Sequence, residues 1–216
     1  AMIIGLEGVD LQSDGRIQQT NSALLVRPET GITTRYDKRH LVPFGEYVPW
    51  QKQLPWLASF TPYPPDFGLT PGEGPALFEH GGYRMLPVIC FEDTVPQLVR
   101  GHVAAALQTD GKPVDLLVNL SNDGWFQGSC GLDQHLITAA FRAVECRVPL
   151  VRAVNTGISA VIDGDGAIRD PERFIDGDKQ QAVSYLDPAT GTWRKQLNAG
   201  LVSTVPLDPR DSLYVR

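Results

Sequence analysis

The stretch YRMLPVICFEDTVPQLVRGHVAAALQ, residues 83–108, passes from an apolar run through Glu92, Asp93 and Thr94 into a second run. The first part, YRMLPVICF, has the length and bounding turn residues of a strand. The second predicts a helix over 94–108, with Thr94 as N-cap and Pro96 in the first turn, where its missing N–H costs little. Just upstream, ALFEH is joined to this strand by Gly81-Gly82, a pair that supplies the positive φ angles of a two-residue hairpin turn. A hairpin feeding a strand-to-helix junction makes this region mixed α/β.

Working outward, MIIGL, SALLVRP, ITTRY, DLLVNLS, PLVRAVN, ISAVIDG and QAVSYLD read as further strands. VIDGDGAI predicts a tight turn through Asp163 to Gly166. A second helix is predicted over 132–147, with Asp133 as cap and apolar residues from Leu136 through Ala140 to Val144. Many strands and only two clear helices, in mixed order, suit a layered α/β sandwich better than an alternating barrel. Residues 44–67 are rich in proline, glycine and aromatics and lack periodicity. Phe44, Tyr47, Trp50 and Trp56 argue against plain disorder there, which leaves a functional loop.

A chain of 216 residues suits one domain with a sizeable core. The formal charge of −6, with no basic stripe, excludes a nucleic-acid partner from the expectations. No run of about 18 apolar residues is present, so no bilayer span is expected within the chain, nor is a signal peptide visible. Three cysteines (Cys90, Cys130, Cys146) leave at least one thiol free. Their spacing fits no common zinc pattern, so neither a metal nor a cofactor is expected.

Cys90 ends an apolar strand just ahead of a helix start, a position that favours thiolate over thiol. A structural cysteine is the commoner fate of a thiol in a strand, and position alone leaves both readings open. The flanking residues add weight to chemistry. Glu92 and Asp93 follow at once, although a helix-start charge pair is the simpler reading of two such carboxylates. YDKRHLVPFGEYVP, residues 36–49, gathers an ammonium, a guanidinium, an imidazole and carboxylates in a loop stiffened by Pro43 and Pro49. A thiolate to attack a carbonyl, the Lys38 ammonium to stabilise an oxyanion and a carboxylate to move protons are the parts of acyl transfer.

Together YDKRHLVPFGEYVP, PVICFED (87–93), NLSNDGWF (119–126), QHLITAAFRAVECRVPLVRAVNTGIS (134–159) and SLYVR (212–216) resemble, in order, the apolipoprotein N-acyltransferases of the nitrilase superfamily. The resemblance implies a nitrilase-like four-layer α/β/β/α sandwich with a Glu–Lys–Cys triad. It also implies a bacterial inner-membrane enzyme whose catalytic domain faces the periplasm. Such an enzyme moves an acyl chain from a phospholipid to the N-terminal amino group of a lipoprotein's diacylglyceryl-cysteine, through a thioester. By motif, Lys38 is the triad lysine and Cys90 the nucleophile, Glu46 and Glu92 are accessory carboxylates, and Phe91 and Trp125 lie near the substrate. Phe91 replaces the tyrosine usual after that cysteine, keeping the ring without its hydroxyl. The resemblance puts the general-base glutamate upstream of residue 1 and a membrane helix beyond SLYVR, so residues 1–216 read as one catalytic domain cut at both ends. Glu7 reads as a strand-end residue rather than the base.

A soluble nitrilase-type amidohydrolase, with water in place of the amine, uses the same chemistry. A third reading is a binding module without activity. HLVPFGEYVP and the aromatic stretch favour the acyltransferase. Of the remaining candidates, Cys130 reads as a loop thiol, Cys146 as core, His135 as a structural hydrogen-bonding group and Arg142–Glu145 as a pair on one helix face. NTGIS (155–159) reads as a turn near the site.

Overall fold

The computed structural model describes residues 1–51, 53–61, 68–176, 179–181, 191, 195–196 and 199–216. Two compact units are present, Ala1–Ala76 and Leu77–Arg216.

The first unit is built on an antiparallel meander of β1 (Met2–Leu11), β2 (Ile17–Arg27) and β3 (Gly31–Asp37). β1 pairs residue for residue with β2 out to Leu11 opposite Ile17, so both strands outrun the apolar segments that predicted them. Pairing, not hydrophobicity, carries them through polar residues. Glu7 consequently lies in mid-strand opposite Asn21, exposed, rather than at a strand end. Residues 55–60 of the aromatic stretch form a short 3-10 turn.

The second unit holds a six-stranded mixed sheet, in the order β4 (Phe78–His80), β5 (Tyr83–Ile89), β6 (Leu116–Asn122), β7 (Leu150–Asn155), β8 (Ala160–Ile162) and β9 (Ile168–Arg169). β5, β6 and β7 run parallel. The predicted hairpin is present: His80 pairs with Tyr83 around Gly81 and Gly82, at φ 60° and 84°. The turn from Asp163 to Gly166 joins β8 to β9 and is closed by Asp163 N–H donating to Ala167 O at 3.0 Å. Three short strands, β10 (Arg173–Asp176), β11 (Lys179–Gln181) and β12 (Ala199–Val202), form a separate sheet. Apart from Gln181 in β11, the predicted strand QAVSYLD lies outside the described residues.

Helix α1 (Pro96–Asp110) connects β5 to β6, and α2 (Gly131–Cys146) connects β6 to β7. Crossovers of this kind are how parallel strands are joined. The helices pack on each other, α1 also on β5 and α2 on β7. Leu86, Val88, Val99, Leu117, Leu136 and Leu150 lie in the core between them.

Both predicted caps are displaced. Thr94 belongs to a 3-10 turn, Cys90–Thr94, that precedes α1, and its hydroxyl donates to Phe91 O at 2.7 Å. Val95 occupies the cap position because Pro96 opens the helix proper. Asp133 lies in the first turn of α2, with Cys130 at the cap. The buried stripe of α2 is also rotated by one residue from the predicted line. It runs through Leu132, His135, Leu136, Ala139, Arg142, Ala143 and Cys146. Two of these side chains, His135 and Arg142, are basic, and both lead to the site.

Candidate active site

Lys38 follows β3 directly. Its N–H donates to Asn21 O at 2.8 Å, and its carbonyl accepts Gly72 N–H at 2.9 Å. The side chain is fully buried. A buried ammonium costs several kcal/mol unless paired, and Glu46 supplies the pair, with both carboxylate oxygens 2.7–2.8 Å from Nζ. Glu46 is itself oriented, since Oε2 accepts Val42 N–H at 2.8 Å and Oε1 accepts Asn21 Nδ2 at 3.3 Å. The loop that carries it turns back through Phe44 at φ 61°, and Phe44 N–H donates to Tyr47 O at 2.7 Å. The charges collected in this Pro/Gly loop thus include a fixed Lys38–Glu46 ion pair.

Gly72 approaches this strand end so closely that an added Cβ would lie 2.2 Å from Asp37 O. Gly72→Ala must push the backbone beside Lys38 aside, at about 1–3 kcal/mol. A fall of several degrees in Tm is expected in calorimetry, and an unchanged Tm contradicts the close approach.

In the second unit the carboxyl ends of β5, β6 and β7 share one edge of the sheet, where open α/β folds place their ligands. Cys90 leaves β5 there, half-buried, with φ 51°. That left-handed conformation is uncommon for a non-glycine residue and recurs at functional sites. The predicted thiol at the N-terminus of α1 is thus corrected: the 3-10 turn separates the two. Glu92 and Asp93 in that turn are fully buried. Glu92 Oε2 accepts Ile89 N–H at 2.7 Å, so this carboxylate ties the turn to the end of β5. Phe91 and Trp125 are both exposed, at 37% and 71%.

Beneath Cys90 lies a buried set of charges that the sequence reading did not assemble. Arg152, on β7, donates to Asp93 Oδ2 at 2.7 Å and to Asp123 Oδ2 at 2.9 Å. His135, on α2, has Nδ1 3.0 Å from Asp123 Oδ1 and Nε2 3.0 Å from Asp93 Oδ1. Asn119, on β6, donates through Nδ2 to Asp93 Oδ2 at 3.2 Å. Burial alone pushes the His135 pKa down, but the hydrogen bond to Asp123 and the pairing with the Asp93 carboxylate outweigh it and raise the value to about 9. Burial likewise pulls Asp123 upward, yet the hydrogen bond and charge of His135 leave its carboxyl below the usual value. His135 is therefore an imidazolium between two carboxylates, in keeping with a structural rather than a basic role.

The other expectations find their places. Arg142 grips Glu145 with two hydrogen bonds of 2.8–2.9 Å and donates to Asp93 O at 3.0 Å. Cys146 is core, and burial pushes its thiol up to about 12. Cys130 is exposed. In NTGIS, a Cβ on Gly157 would lie 2.6 Å from Asp123 Oδ2, so that turn closes directly over the buried carboxylate. Among the described residues, no group of three His, Cys, Asp or Glu side chains is arranged to hold a metal ion. None of the described helices is long and apolar enough to cross a membrane.

The second unit thus presents a thiol on a left-handed strand end, with buried carboxylates behind it, in a mixed α/β fold. The carbon-nitrogen hydrolase family matches residues 1–173, and the chain belongs to that family. Among the curated proteins it is 45% identical, over 73% of its length, to the apolipoprotein N-acyltransferase of Geobacter metallireducens, of which it covers 29%. It is 33% identical, over 99% of its length, to that of Rhodopirellula baltica, of which it covers 34%. The chain thus spans about a third of the length of these relatives. Among solved structures, an amidase of the nitrilase superfamily from Nesterenkonia matches with a TM-score of 0.51 at 20% identity, covering 77% of this chain and 55% of that one. The fold is the α/β fold of that superfamily.

Proposed function

We propose that this chain is the catalytic portion of an apolipoprotein N-acyltransferase, working at the periplasmic face of a bacterial inner membrane through a thioester on Cys90. The thiolate attacks the ester carbonyl of a phospholipid, forming a C–S bond, and the ammonium of Lys38 stabilises the oxyanion. The C–O bond then breaks, and the lysophospholipid leaves as an alcohol after receiving the proton that a carboxyl group took from the thiol. In the second half, the amino group of a diacylglyceryl-cysteine attacks the thioester. An amide forms, the C–S bond breaks, the thiolate is restored and the carboxylate takes up the proton that the amine loses.

The observation that carries this reading is the backbone of Cys90, held at φ 51° on the carboxyl edge of the parallel strands. The two carboxylates of these motifs have other tasks. Glu46 holds the Lys38 ammonium and Glu92 holds the Ile89 N–H, which fits positioning better than proton transfer. The proton-moving role falls to a further glutamate, the remaining member of the Glu–Lys–Cys triad that the family resemblance implies. The test supplies the complete reading frame with phospholipid vesicles and a diacylglyceryl peptide. N-acylated peptide is expected; cleavage of small amides without acyl transfer would instead select the amidohydrolase.

The aromatic loop supports a lipid substrate. Trp50, Trp56 and Phe60 are 70%, 60% and 71% exposed, and the last two meet edge to face at 5.9 Å. Exposed apolar groups of this size mark interaction surfaces. Trp50→Ser and Trp56→Ser are each expected to raise the KM for vesicles about tenfold, the cost of one unburied ring, with kcat little changed. Wild-type KM values in both variants would return the loop to a structural role.

A further inference from the structure

We propose that His135, Asp123, Asp93, Arg152 and Asn119 form a positioning cradle that holds Cys90 in its reactive conformation by its own carbonyl oxygen. This rests on the reading of Cys90 as the nucleophile. A residue with a side chain is strained in the left-handed region, so something must hold it there. The Cys90 carbonyl lies 3.3 Å from Asn119 Nδ2 and 3.3 Å from His135 Nε2, and each of these donors is fixed from behind. Asn119 is held by Asp93, and its Oδ1 accepts Arg152 Nη1 at 3.4 Å. The imidazole is held by Asp123, which also accepts Ser121 Oγ at 2.6 Å and Arg152 Nη2. Asp93, three residues after Cys90, is fixed in turn through its side chain by Arg152 and through its carbonyl by Arg142. The 3-10 turn is thereby anchored at its first and fourth residues.

The charges explain why this set can sit in the core. Asp93, Asp123, His135 and Arg152 are at most 5% exposed, and two carboxylates balance two cations. That balance requires the imidazole to be protonated, which also makes both ring nitrogens donors. A neutral ring loses one donor and leaves a net negative charge behind the nucleophile. His135 is faced by Asp93 from the 3-10 turn, by Asp123 from the end of β6 and by Arg152 from β7, and the ring of Phe126 lies 5.9 Å away. His135 acts through the Cys90 backbone and is a positioning residue, not a proton carrier.

The experiment follows alkylation of Cys90 by iodoacetamide in the complete reading frame, by mass spectrometry of the Cys90 peptide, with the exposed Cys130 as internal control. It needs neither lipid nor amine, so it succeeds or fails independently of the acyltransferase reading. His135→Ala is expected to slow Cys90 on the order of 10- to 100-fold, the cost of a misplaced reacting group, while Cys130 reacts as before. Equal Cys90 rates in variant and wild type overturn the cradle. Where acyl transfer is measurable, kcat should fall with KM unchanged, and wild-type kcat should decline above about pH 9 as His135 loses its proton. Asp123→Asn removes one of the carboxylates that keep the proton on, so the decline must move to lower pH; an unmoved decline contradicts the proposal. Should either variant fail to fold, NMR titration of His135 in the wild type decides. A ring already neutral at pH 7 overturns the cradle, and a protonated one sustains it.

Discussion

Cys90→Ser, introduced into the complete reading frame, should bind phospholipid and form no acyl-enzyme. A hydroxyl near neutral pH lacks the nucleophilicity of a thiolate, and the geometry that presents Cys90 does nothing to supply it. Lys38→Ala should lose acylation by a different route. Its ammonium is fully buried against Glu46, so removal deletes the proposed oxyanion partner and leaves a carboxylate without its counter-ion. Loss of such stabilisation is worth about 3 kcal/mol or more, roughly a hundredfold in rate. Cys130→Ala and Cys146→Ala should keep the acyl-enzyme, because one thiol is exposed at a helix start and the other lies in the core. Normal turnover by Cys90→Ser excludes the thioester.

The second large effect is on stability. Arg152→Met should cost about 3–5 kcal/mol, the penalty for leaving buried charge uncompensated when one partner of a buried pair is removed. Arg152 serves two carboxylates, Asp93 and Asp123, and none of the three side chains reaches solvent. Asp165→Asn, whose carboxylate makes exposed pairs with Arg147 and Arg210, should change the urea midpoint little. His135 adds a pH dependence of defined sign. Its pKa is raised in the folded state, from 6.5 to about 9. The associated stabilisation, about 3 kcal/mol, is fully present below pH 6.5 and is lost as pH rises through 9. Urea midpoints measured from neutral to alkaline pH should fall across that window in the wild type and stay flatter in His135→Ala.

What could be read in advance is what lies close together in the sequence. Lys38 and Glu46 are eight residues apart on one loop, and Cys90 and Glu92 share one turn, so local motifs carried them. The cradle is assembled from the 3-10 turn, β6, α2 and β7, and only the sheet order brings those elements together. Its traces were present as anomalies. Asn119 interrupts the apolar strand DLLVNLS and Arg152 interrupts PLVRAVN. A polar residue within a buried strand must find a partner, yet nothing in a single sequence names that partner. Asp93 was hidden by a simpler reading as a helix-start charge. The same reading misplaced the cap, because CFEDT closes a 3-10 turn before Pro96 can open the helix. The hairpin at Gly81-Gly82 was legible because its backbone requirement is local.

The decisive measurement is a peptide map after incubation of the complete protein with phospholipid alone, so that no amine is present to discharge the intermediate. The expected result is a hydroxylamine-labile acyl mass on the peptide containing LPVICFED, absent in Cys90→Ser. An acyl mass on the Cys130 peptide, or acyl transfer to a later-added acceptor with Cys90 unmodified throughout, contradicts Cys90 as the carrier.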